Sequence, residues 1–147
     1  MQTEGYVLPE TEEEARDLYE QLGPMAQEIT REVAIAMEFD RDEYDERVTS
    51  DVVETARDAL FGSLLVVTTG ALDAFDSLCE QAPYVEYDLH LEGNEHVDHV
   101  AWHASPFQET IVAATYQDER AAAVATLRRI AWGRLYRPLF RPNHEDS

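Results

Sequence analysis

The amino-acid sequence predicts an α+β fold: a helical N-terminal half, a three-stranded antiparallel meander, and a C-terminal helix packed on one face. Three observations carry this reading. Apolar residues recur at helical spacing to about residue 81, alternate with polar ones between Tyr84 and Ala104, and resume helical spacing after Asp118. A chain of 147 residues suits one domain, 1–147, with mobile ends expected at 1–9 and 142–147.

Thr11 followed by Glu14 is a capping-box pair and opens a helix running to about Leu22. Gly23-Pro24 breaks it, and Pro24 suits the first turn of a second helix. There Met25, Ile29, Val33, Ala36 and Met37 recur at helical spacing and form one apolar stripe. Glu38 to Arg47 is dominated by charge and reads as a solvated connection. A third helix starts near Asp51, lined by Val52, Ala56, Leu60, Ser63, Leu64 and Val67, and is apolar nearly all round from Ala59 to Val67, so it should be the most buried. A fourth covers Ala71 to Gln81, with Leu72, Phe75, Leu78 and Cys79 inward, and Pro83 closes it.

The alternating stretch has Gly93-Asn94 at its centre, a two-residue hairpin signal. Pairing Glu92 with Glu95 puts Val85, Tyr87, Leu89 and Leu91 with Val100 and Trp102 on a core face. Glu86, Asp88, His99 and His103 then fall on a solvent face. His96 and Asp98 fall on the core face beside the turn, where they need either water or partners. Ile111 to Tyr116 is the third strand. Asp118 caps a last helix to about Tyr136, which Pro138 and Pro142 stop.

The charge balance is extreme: 31 Asp and Glu against 11 basic residues, a net charge of −20. Every basic residue is Arg. Such a chain repels itself in dilute buffer, whereas at about 1 M salt the Debye length is only roughly 3 Å. The composition therefore points to a protein adapted to concentrated salt, with K⁺ as the expected counterion; the plainer alternative is an acidic protein from a GC-rich genome. The longest central charge-free stretch, Ala59 to Leu72, is too short and polar to span a bilayer. Met1-Gln2-Thr3-Glu4 lacks the features of a signal peptide, and Cys79, the one cysteine, cannot form an intrachain disulfide. A cytoplasmic location without membrane contact is expected.

Two groups of residues invite a functional reading. On a shared solvent face, Asp88, His99 and His103 could ligate Zn²⁺ or Mn²⁺, as in a small metal-binding protein or metal-dependent hydrolase. No established metal motif matches, and cross-strand acid–imidazole pairing explains the same pattern, so no cofactor is expected by default. Asp40, Asp42 and Asp45 lack the central Gly of a calcium loop. The second group is basic: residues 120–141 contain six Arg and no acid, whereas the preceding 119 residues contain 29 acids and five Arg. The last helix is also apolar around much of its girth. Arg129, Trp132, Tyr136 and Arg137 are the candidate partner-binding residues, for a protein partner or a second copy of the chain. The alternatives are internal pairing of these Arg with the abundant acids, and an anionic small molecule held by Arg129, Arg134 and Arg137. Nucleic acid is not expected, because phosphate attraction falls steeply with salt. No phosphate loop, nucleophile elbow or paired CxxC is present, so the reading leans away from an enzyme.

The Lys-free, acid-rich composition together with AMEFDRDEYDERVTSDVVETARDALFGSLL (36–65) and NEHVDHVAWHASPFQETIVAATYQDERAAAVATLRR (94–129) resembles a small family of haloarchaeal proteins of unknown function, from about Glu14 to Pro138. The resemblance implies a salt-filled archaeal cytoplasm and implies no activity. The expectation is thus a non-catalytic, salt-adapted binding or assembly protein with its Arg-rich C-terminal helix as the interaction face.

Overall fold

The computed structural model describes residues 1–141; the expected end at 142–147 lies outside them. The fold is α+β, with a five-stranded mixed sheet in the order β1-β2-β4-β5-β3. The strands are β1 (Gln2–Glu4), β2 (Val67–Ala71), β3 (Asp88–Glu92), β4 (His99–Ser105) and β5 (Thr110–Tyr116). All neighbours are antiparallel except β3 and β5, which are parallel.

Helices α1 (Glu12–Gln21) and α2 (Gly23–Ala36) form where the capping box and Pro24 placed them, and the Thr11 hydroxyl accepts from the Glu14 N–H at 3.1 Å. The acidic connection contains a helix, α3 (Arg41–Arg47), capped by Asp40 and burying no residue. Helix α4 (Ser50–Ser63) stops sooner than expected, because the β-branched run Val66-Val67-Thr68-Thr69 prefers extended backbone and supplies β2. The expected mobile start also belongs to the sheet: Gln2–Glu4 pairs with β2, and Val7 is buried.

The expected meander does not form. β5 lies between β3 and β4, so the Asp88–Glu92 and His99–Ser105 strands never pair with each other. Gly93, at φ +102°, carries the chain out of β3 in a conformation only Gly adopts readily, while the Asn94 side chain accepts from the His96 N–H at 2.7 Å. This is a turn that leads away from its strand. Two helical layers make the arrangement favourable. α5 (Leu72–Cys79) covers one face with Phe75 against Val100, Trp102, Ile111 and Ala113; α6 (Arg120–Ala131) and α4 cover the other over Ala101, Val112 and Ala114. The central strand β4 is thus buried on both sides, and the face expected to meet solvent is internal.

Asp118 does not cap α6; the N-cap position is Glu119, without a side-chain hydrogen bond. Nor does Pro138 end the helical path. The chain widens into a π turn over Trp132–Tyr136 and continues as α7 (Arg137–Phe140). Proline has no N–H to give to the carbonyl four residues back and its ring crowds that carbonyl, so the wider turn absorbs the misfit.

Candidate functional site

α4 and the C-terminal helical path run side by side and leave a groove of about 710 Å³ between them. Its α4 wall carries Asp51, Glu54, Thr55 and Asp58, with Ala59, Gly62 and Ser63 as a floor of small residues. The opposite wall carries Ala125, Arg128, Arg129 and Trp132, then Arg137 and Arg141. The two walls approach closely at Gly62, where a methyl would make ordinary contact with Trp132 Cβ at 3.5 Å. The half-buried Trp132 ring packs on three others, Tyr19 at 6.3 Å, Phe61 at 5.7 Å and Phe140 at 5.8 Å between centroids. Those rings come from α1, α4 and α7, so the indole is held by three separate elements.

The six C-terminal arginines divide evenly. Arg120 pairs with Glu4 at 2.6 Å; Arg128 donates to the Leu65 carbonyl at 3.0 Å and lies near Glu4; Arg141 bridges Glu54 and Asp58. The two carboxylates hold the Arg141 guanidinium firmly in its charged form, and Asp58 also accepts from the Tyr19 hydroxyl at 2.5 Å. Internal pairing thus accounts for three arginines. Arg129, Arg134 and Arg137 have no carboxylate partner among the described residues. Arg134 points to His90 of β3 at 3.5 Å, outside the groove, whereas Arg129 and Arg137 both line it.

The π turn decides where Arg137 lies. At 3.6 residues per turn, a residue five positions after Trp132 would lie roughly 140° around the helix from it. In the π turn the Arg137 N–H donates to the Trp132 carbonyl, and the two side chains line the same groove. Of the four expected contact residues, Arg129, Trp132 and Arg137 come together. Tyr136 does not: it is fully buried, its ring 5.1 Å from Phe61, and cannot act as a surface anchor.

Tyr136 instead belongs to a polar cluster beneath α6. Its hydroxyl is 2.6 Å from His103 Nε2, and His103 Nδ1 is 2.6 Å from the Val66 carbonyl. A carbonyl only accepts, so Nδ1 carries the proton and Nε2 accepts from the tyrosine. Burial pushes the imidazole down to about 4, with nearby Arg128 adding to the shift against the opposing Val66 hydrogen bond. Burial likewise pushes the Tyr136 hydroxyl up. The neutral pair is fully satisfied.

The proposed metal ligands are dispersed. Asp88 lies opposite Thr110 and His99 opposite Tyr116, at the two ends of β5 and so roughly 20 Å apart along the strand. His103 has both nitrogens engaged, and no group of three or more His, Cys, Asp or Glu among the described residues could hold a metal. The face that was to unite them depended on the absent hairpin. His96 and Asp98 are exposed, and Asp98 accepts from Gln117 Nε2 at 2.9 Å, so this end is both wet and paired. Cys79 packs beside the Phe75 cluster, where burial raises its thiol pKa and keeps it protonated.

Sequence periodicity had pointed to the Arg wall but not to the α4 wall, which it read as deep core. The available signal was Ala59, Gly62 and Ser63 at spacings of three and four, a stripe that lets something approach a helix closely.

Residues 6–137 match a family of unknown function, DUF5809. The chain belongs to that family. The match takes in β2 to β5, both groove walls as far as Arg137, and the buried His103–Tyr136 pair. No curated protein and no solved structure matches the chain.

Proposed function

We propose that this DUF5809 member is a non-catalytic binding protein of a salt-filled haloarchaeal cytoplasm, and that the groove between α4 and α6 is its recognition face. One observation carries the reading: in a chain of net charge −20, Arg129 and Arg137 have no carboxylate partner among the described residues, and they flank a rigidly held tryptophan. Acids are abundant, so two arginines that pair with none of them among the described residues, at a largely apolar groove, favour an anionic occupant from outside. The test is an amide-shift titration of the labelled chain in molar KCl with the low-molecular-weight and macromolecular fractions of a haloarchaeal extract. Shifts confined to residues 51–63 and 125–141, and absent in Trp132→Ala, are expected. Shifts elsewhere, or none with either fraction, would refute the groove as the face.

Self-association is a second reading, favoured by α2. Its apolar stripe faces outward: Met25, Ile29, Val33 and Met37 are between 40% and 58% exposed. Light scattering in molar KCl tests it. A dimer that Ile29→Glu with Val33→Glu converts to monomer is expected, and a monomeric parent chain removes the reading.

A further inference from the structure

We infer that the groove takes a small organic anion, with a flat apolar body against Trp132 and carboxylate or phosphate groups held by Arg129 and Arg137. This rests on the groove being the recognition face, and it specifies the occupant. Size comes first: about 710 Å³ lies within the roughly 300–1,000 Å³ of small-molecule sites, which are mostly apolar with a few placed polar groups. The floor fits that description. Ala59 and Gly62, with Ala125 on the opposite wall, carry nothing larger than a methyl group, which suits a flat apolar body beside Trp132. Trp132 is already immobilised by its three aromatic neighbours, so little ordering entropy is lost on binding.

Charge placement narrows the class. Arg129 and Arg137 are eight residues apart along the helical path, with Trp132 between them. The π turn brings Arg137 to the indole's side, and turns of this kind recur at functional sites. The facing wall carries Asp51, which has no ion pair among the described residues. It would repel a long polyanion such as a nucleic-acid strand running the length of the groove. One or two anionic groups on a compact body satisfy the arginines and avoid that carboxylate. In molar salt, attraction at a distance is screened beyond roughly 3 Å, which leaves bidentate guanidinium contacts and apolar burial as the source of affinity.

The experiment titrates the full chain in molar KCl with naphthoate, naphthyl phosphate, neutral naphthol and inorganic phosphate, following amide shifts. Both aryl anions should bind roughly tenfold or more tightly than naphthol, as expected of charge-assisted bidentate contacts. Inorganic phosphate alone should not saturate the site. Arg129→Gln with Arg137→Gln should reduce the aryl anions to naphthol's affinity. Ala125→Leu, which narrows the groove from a solvent-facing position on its opposite wall, should abolish binding while leaving the melting temperature unchanged. The ratio of naphthoate to naphthyl phosphate distinguishes a carboxylate ligand from a phosphate one. Equal binding of naphthol, survival of the anion preference in the double variant, or no aryl binding would overturn the inference. If the extract's macromolecular fraction still shifted the groove, the recognition face would stand and only this occupant would fall.

Discussion

His103 shows how a side chain suggestive of chemistry is consumed by structure. In sequence it sat four residues from His99 on an alternating strand, and alternation assigns two faces without saying what covers either. The fold lays α6 over that face, so a neutral imidazole bridges the Val66 carbonyl and the Tyr136 hydroxyl. The pH consequence has a definite sign. The unfolded imidazole takes a proton near 6.5 while the folded one resists until about 4, so its stabilisation is complete above 6.5 and lost as pH falls from 6.5 to 4. At 1.36 kcal/mol per pK unit this amounts to roughly 3 kcal/mol. Urea unfolding at constant molar KCl should show it as a fall in stability across that window, and His103→Gln should flatten the fall. An unchanged slope in the variant would remove His103 as the cause.

The second helix inverts the expected amphipathicity. An apolar stripe ordinarily turns to the core, yet α2 packs on α4 through Ala26, Thr30 and Ala34, all buried, with the Thr30 hydroxyl donating to the Ala26 carbonyl at 2.7 Å. Small residues let two helix axes come close, and a hydrophobicity pattern weights them too lightly to reveal it. Ala26→Leu should therefore destabilise by about 1–3 kcal/mol through overpacking, whereas Ile29→Ser should change stability by no more than about 0.5 kcal/mol. Thermal unfolding of the two variants checks the assignment, which fails if Ile29→Ser costs more. Pro138 is the matching case at the other end of the chain. As a helix breaker it was read as a stop, but its effect is to widen the preceding turn and bring Arg137 round to Trp132. Pro138→Ala restores the missing donor and permits an ordinary α turn. The variant should stay folded by circular dichroism while binding aryl anions roughly tenfold more weakly, a loss of about 1.4 kcal/mol.

The fold as a whole carries its charge unevenly. Acids crowd the N-terminal helices, and Arg120, Arg128 and Arg141 pin the last helices to Glu4, Glu54 and Asp58. These pairs link chain segments far apart in sequence, but they offset only part of the repulsion from a net charge of −20. Melting temperature should rise steeply from dilute buffer to molar KCl, through screening and through salt strengthening of apolar burial. An equal melting temperature at both extremes would mean that the acidic surface is no adaptation to salt. Arg129 and Arg137, without a carboxylate partner among the described residues, put positive charge on one wall of the groove in an otherwise acidic molecule.

The α+β class, the starts of α1 and α2, α5, the third strand and the Arg-rich wall were legible in the chain because they rest on local physics: caps, turn residues, periodicity and composition. The same information placed Arg129, Trp132 and Arg137 in one candidate face. Strand partners, the covering of β4 on both sides, the turning of α2 and the groove itself were not legible. Each depends on which distant surfaces bury one another, and alternation or a helical stripe states only that a face is apolar, never what it will meet. β5 was free to pair on both edges, and once it lay between β3 and β4 the hairpin, the histidine face and the metal site built on them could not exist together.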